Sequence, residues 1–276
     1  MENSKPAAST NPAPADARQD PPISATLPDH PGCMMVVDLN GGEPIEFGAQ
    51  PCGEATNPAS TFKVPHAVFA LETGAVSGPD EVVPWDGTKQ WLKVWERDQT
   101  LRSAVHDSVV WYFQRTAKKI GQTEMTRLLE SFDYGNADPS SAIDRFWLGG
   151  GSLKISGEEK LEFMRRLYRD ELPAKPENLA LVRELVLRPP TSFKGRMLPD
   201  HVVPPTADEL RFGAKTGTAM LDRGSVTWLV GHRQCPDGGP GHVFVSRVIS
   251  EDEASAKSPA ATFGLEALAA LGLLDC

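Results

Sequence analysis

The chain has 276 residues, 40% of them hydrophobic and 24% charged, with a formal net charge of −9. That is enough apolar material for a sizeable core in one large domain or two lobes. An acidic chain with no block of Lys or Arg suits neither a nucleic-acid backbone nor an anionic membrane surface, and no apolar run approaches the roughly 20 residues of a membrane span.

Residues 1–30 hold Pro6, Pro12, Pro14, Pro21, Pro22 and Pro28 and almost no large apolar side chain. Such a composition cannot offset the entropy of ordering and predicts a disordered lead-in. It also lacks the apolar centre of a secretory signal, so the chain either stays inside the cell or has lost its signal. The apolar run Cys33 to Asp38, the turn Asn40-Gly41-Gly42 and the segment Ile45 to Phe47 predict a β-hairpin. Cys33 and Cys52 would flank it; a disulfide is open to them, with free or buried thiols the favoured reading. Together with Cys235 and Cys276 they fit no zinc spacing. The six histidines form no His-x-x-x-His pair and no Cys/His cluster, so no metal site is expected.

A helix is predicted from near Ser60 to Gly74, a natural C-terminal stop. Residues from about 96 to 188 read as mostly helical. Within them Ser156 and Glu159 form a capping box, followed by one apolar helix face at Leu161, Met164, Leu167 and Tyr168. After residue 205 the pattern changes. Arg211 to Lys215, Val226 to Arg233 and His242 to Ile249 predict three strands joined by Gly-rich turns, and Ala260 to Leu274 a closing helix. Strands at both ends and helices between them predict an α/β (α+β) fold: an antiparallel sheet built from both chain ends, flanked by helices, with an inserted all-helical lobe. Residues 31–276 then form one domain, with a sheet lobe at about 31–85 and 190–276 and a helical lobe at about 86–189.

Five short segments carry chemistry. In Ser60-Thr61-Phe62-Lys63 the serine and lysine lie three apart, on one helical face. A serine hydroxyl needs a nearby base to become a nucleophile, and the start of a helix offers free N–H groups to developing negative charge. In Lys215-Thr216-Gly217-Thr218, on a predicted strand, a lysine and threonine hydroxyls can hold a carboxylate while the glycine admits a ligand close to the backbone. Ser108-Val109-Val110, Tyr134-Gly135-Asn136 and Phe146-Trp147-Leu148-Gly149 each read alone as ordinary helix, turn and core.

Taken together, in this order and at these separations, the five segments resemble the class D serine β-lactamases, the oxacillinase family. Trp85-Asp86-Gly87, the run from Ser108 to Gln114 and Leu153-Lys154-Ile155-Ser156 add smaller echoes, and the likeness covers roughly residues 33 to 275. It implies hydrolysis of β-lactam small molecules through an acyl-serine intermediate. Ser60 would be the nucleophile. Lys63, N-carboxylated by carbon dioxide, would be the general base; no other cofactor is implied. Val110 would wall that carbamate with apolar surface and Trp147 would donate its indole N–H to it. Ser108 would pass a proton to the departing nitrogen with support from Lys215. The backbone N–H groups of Ser60 and Thr218 would form the oxyanion hole, and Thr216, Gly217 and Thr218 would bind substrate. Val110 also separates the chain from the Ser-x-Asn pattern of related transpeptidases, and disfavours both a D,D-peptidase and a β-lactam sensor domain that stays acylated. One departure stands out: Lys257 to Gly264, just before or within the final helix, contains no arginine to grip the substrate carboxylate, and Arg247 on the preceding strand is the candidate substitute. The expected compartment is periplasmic or secreted. Nothing in the sequence specifies an oligomeric state.

Overall fold

Alternating apolar residues at the two ends of the chain meet in one sheet. The computed structural model describes residues 32–193, 206, 208–239, 241–251 and 258–276; the Pro-rich lead-in and Lys257 lie outside these. Strands β1 (Cys33–Asp38), β2 (Ile45–Phe47), β3 (Arg211–Met220), β4 (Ser225–Gln234) and β5 (Gly241–Ser250) pair antiparallel in the order β2-β1-β5-β4-β3. The N-terminal hairpin falls where its turn signal put it. β3 runs further than its apolar part predicts, because β4 supplies partners for the polar stretch: Gly217 pairs with Trp228 and Thr218 with Thr227.

Both faces of the sheet are covered, which is why β4 is buried at nine of its ten positions. Helix α7 (Pro259–Ala270) covers one face, where Leu229, Phe244 and Val248 join Ala261, Phe263, Leu265 and Leu268 in a compact cluster. Trp228, Val230, Val243 and Val245 face the larger core. That core holds α1 (Lys63–Glu72), α2 (Leu101–His106), α3 (Val110–Ile120), α4 (Gln122–Ser131), α5 (Gly157–Tyr168) and α6 (Pro176–Leu185). The capping box is present at the start of α5: Ser156 Oγ accepts from the Glu159 N–H at 3.1 Å, and the Glu159 carboxylate accepts from the Ser156 N–H at 2.8 Å. Although its residue numbers fall inside the predicted helical lobe, α5 packs against β1, β4 and β5; its apolar face serves the sheet.

All four cysteines are paired, Cys33 with Cys52 and Cys235 with Cys276, at Cα separations of 5.3 and 5.7 Å. The favoured reading of free thiols is thereby corrected: β1 and the loop after β2 approach closely enough for a bridge that no spacing rule supplies. Loop closure over about 20 residues stabilises by about 3 kcal/mol. The paired replacements Cys33→Ala and Cys52→Ala should therefore lower the melting temperature by roughly 6–12 °C for a domain of this size; calorimetry showing no shift would mean the bridge is absent.

Candidate active site

Ser60 sits in a 3₁₀ turn, Ala59–Phe62, that feeds directly into α1. Ala59 adopts φ +50°, a left-handed conformation that costs a side-chain-bearing residue roughly 1–2 kcal/mol, so the surroundings must hold it. Asn57 donates to the carbonyls of Gly151 (3.0 Å) and Leu153 (3.2 Å), and its own carbonyl accepts from Trp228 Nε1 at 2.9 Å. β3 closes on the turn as well: a side chain at Gly217 would stand 3.0 Å from the Pro58 carbonyl oxygen and 3.1 Å from the Thr61 nitrogen, so glycine eases the close approach.

Lys63 opens α1, and its Nζ donates to Ser60 Oγ at 2.7 Å. The amine is fully buried and lies 5.6 Å from the centre of the Phe113 ring. Burial lowers its pKa from 10.5 to about 7, so a large share is neutral near neutral pH and can take a proton. His66, one turn on, is also fully buried; burial first, and the Lys63 charge second, hold its pKa down at about 3. It is a neutral imidazole that meets Thr116 Oγ1 at 3.2 Å.

A second serine–lysine pair is assembled across the fold. Ser108 lies between α2 and α3 with φ +57°, and Lys215 Nζ from β3 donates to Ser108 Oγ at 3.0 Å and to the Thr216 carbonyl at 3.0 Å. Burial above all, then the positive charges of Lys63 and Arg188, push the Lys215 pKa well down. Thr216 is half-buried beside it and Thr218 is exposed further along the strand. Val110, first residue of α3, is half-buried against the main core. Trp147 is fully buried against Phe62 and His66, with ring centres 5.7 and 5.4 Å away, and its indole N–H has no partner among the described residues. A buried donor left unpaired costs about 1–3 kcal/mol. The Tyr134-Gly135-Asn136 turn braces the same region: Asn136 accepts from the Lys154 N–H at 2.9 Å and donates to the Ser152 carbonyl at 3.0 Å.

This geometry has close relatives. The family model for the penicillin binding protein transpeptidase domain matches residues 32–265. Beta-lactamase OXA-48 of Klebsiella pneumoniae is 35% identical over 206 residues, covering 75% of this chain and 71% of its own. Beta-lactamase OXA-2 of Salmonella typhimurium is 43% identical over 150 residues, 51% of this chain; the chain thus spans about half (54%) of that relative's length. Among solved structures, class D beta-lactamase BAT-2 superposes with a TM-score of 0.77 at 31% identity, covering 92% of this chain and 97% of that one. The chain belongs to the class D serine β-lactamase family.

Of the expected site residues, Ser60 with Lys63 and Ser108 with Lys215 form hydrogen-bonded pairs, Gly217 lies against the Ser60 turn, and Val110, Trp147, Thr216 and Thr218 stand on the segments that carry or flank these. Arg247 stands apart. It is fully buried on β5, paired across to Trp228 of β4, two strands in from β3. Its guanidinium donates to the Pro51 carbonyl at 2.6 Å and to the Glu54 carbonyl. A cation sealed in this way has nothing to offer a substrate carboxylate, and its expected role as the substitute arginine is corrected to one of internal bracing. Three residues escaped the sequence reading: Asn57, His66 and Lys160. For Lys160 a signal existed, since it stands four residues before Met164 and seven before Leu167 on the apolar face of α5.

Proposed function

We propose that the chain hydrolyses β-lactam antibiotics through an acyl intermediate on Ser60. The observation that carries this reading is the 2.7 Å contact between Ser60 Oγ and a buried Lys63 whose pKa is lowered to about 7: a nucleophile with a base already in place. Ser60 Oγ attacks the lactam carbonyl as its proton passes to the Lys63 side chain. Negative charge on the carbonyl oxygen is met by the backbone N–H groups of Ser60 and Thr218. As the carbon–nitrogen bond breaks, the nitrogen takes its proton from Ser108, which recovers one from Lys215 at 3.0 Å. Thr216, Gly217 and Thr218, with Lys215, bind the substrate carboxylate. Water then releases the acid and frees Ser60.

The residues around Lys63 suit N-carboxylation by carbon dioxide. The reaction needs a neutral amine, which burial provides. The unpaired Trp147 indole N–H supplies a waiting donor, and Val110 adds apolar wall where a polar side chain would compete for the lysine. Carboxylated, Lys63 supplies a base suited to both acylation and deacylation. Since only the unprotonated amine reacts, activity should be lost as the pH falls below the amine's pKa of about 7 and regained above it. Protein held at acid pH and returned to neutral should regain activity faster with added bicarbonate; indifference to bicarbonate would reject the carboxylated lysine and leave Ser60 untouched. Two disulfides fit an oxidising compartment, which supports a periplasmic or secreted protein.

The deciding experiment is a time course with a chromogenic cephalosporin in large excess over protein. Steady turnover far beyond one equivalent is expected. A burst that halts near one equivalent would replace the hydrolase with a sensor that remains acylated.

A further inference from the structure

Lys160 is the second fully buried lysine of the chain that sits beside the Ser60 turn, and the chemistry above leaves it without a task. It stands on α5. Its Nζ lies 4.0 Å from the centre of the Trp228 ring and donates to Thr61 Oγ1 at 2.6 Å. Thr61 in turn donates from Oγ1 to the Pro58 carbonyl at 2.5 Å, and the Thr61 N–H reaches the same oxygen at 3.2 Å. The Arg247 guanidinium shares the Trp228 ring at 5.7 Å. Burial, and then the Arg247 charge, drive the Lys160 pKa well down. Of the two groups against one ring, the amine is the one whose proton is more easily lost.

A buried amine is costly to keep, and an apolar side chain of similar volume would pack as well on Trp228. What such a side chain could not do is donate to Thr61. The bond is placed at a telling point. Asn57 is tied by Trp228 and by the 151–153 carbonyls, Thr61 is tied by Lys160, and between them lies Ala59 with φ +50°. Both ends of the strained segment are pinned, and Ser60 is the next residue.

We propose that Lys160 is a positioning residue for the nucleophile: through Thr61 it holds the Asn57–Phe62 turn so that Ser60 Oγ and the Ser60 N–H both face the substrate. This rests on the β-lactamase reading. Acylation of Ser60 is the step it governs, since a small misplacement of a reacting atom is expensive in rate.

The test compares rates of acyl-enzyme formation by stopped flow, together with melting temperatures, for wild type, Lys160→Met, Lys160→Gln, Thr61→Val and the double variant Lys160→Met/Thr61→Val. Lys160→Met should acylate about tenfold or more slowly at a near-normal melting temperature, because the isostere refills the space. Lys160→Gln, which restores a donor, should recover to within about threefold of wild type, and the double variant should be no worse than either single one, as expected for a shared interaction. Should Lys160→Met fail to fold, Thr61→Val, which removes the Lys160 bond together with the Thr61–Pro58 bond, tests the role from the other end: wild-type acylation overturns it, and a loss of about tenfold that Lys160→Gln in the same background does not deepen supports it. Multiplying losses in the double variant, or Lys160→Met acylating within about twofold of a fully active wild type, also overturn it while leaving the hydrolase intact. A wild-type protein that never acylates defeats both.

Discussion

Replacing Lys63 with alanine should leave a folded protein that turns over β-lactams at least about 10³-fold more slowly, within the span that positioned general bases contribute. Ser60 Oγ loses the partner at 2.7 Å that would take its proton, and among the described residues the hydrogen-bonding and ring partners of Lys63 and its neighbour His66 are Ser60, Thr116, Phe113, Phe62 and Trp147, with no carboxylate to stand in. His66 is a poor substitute, because burial holds its pKa at about 3 and so makes the imidazole too weak a base to take the serine proton. The fold should tolerate the change. The lost methylenes open a small cavity, but a buried amine whose pKa has fallen toward 7 was opposing folding below its unfolded pKa of about 10.5. Between about pH 7 and 10.5 the unfolded chain binds the extra proton, and below that window the full penalty stands, so removing the lysine removes it. Melting curves and steady-state rates on the same sample give the answer. Turnover close to wild type would sink the mechanism, whereas a collapse of the melting temperature would show only that Lys63 is needed for folding.

Lys215→Ala is expected to reduce kcat/KM by about 10²-fold or more. The side chain combines two tasks: a proton path to Ser108 at 3.0 Å, and a donor for the substrate carboxylate. They separate with a β-lactam whose carboxylate is masked as an ester. For that substrate the KM part of the defect should disappear and the kcat part remain. If the variant loses equal amounts on the acid and the ester in KM as well as kcat, the carboxylate role falls. If kcat does not change on either, the path through Ser108 falls.

The catalytic motifs were legible because they are local. Ser60 and Lys63 lie on successive turns of one helical segment, and Ser156 with Glu159 form a cap that spacing alone defines. The hairpin and the later strands were legible for the same reason, through turn residues and alternation. Arg247 was misread because an arginine on a strand looks the same from sequence whether it faces solvent or core; only the loop 51–54 closing over it decides. The Cys33–Cys52 bridge was open as a possibility beside the hairpin, but Cys235–Cys276 was hidden, since those cysteines meet across 41 residues. Asn57 and Lys160 belong to the site through bonds that span 94 to 171 residues, and no periodicity reports contacts of that range.

The order of the strands also sets a timetable. β1 lies between β2 and β5, and β5 begins at Gly241, more than two hundred residues later. During synthesis the hairpin β1–β2 therefore waits with one edge bare until β5 exists, and α5, which packs on β1, β4 and β5, waits with it. An unpaired apolar strand is a template for other chains. For this molecule the hazardous interval is its birth: yield should depend on how quickly the last forty residues arrive, and chains truncated before Gly241 should aggregate rather than fold.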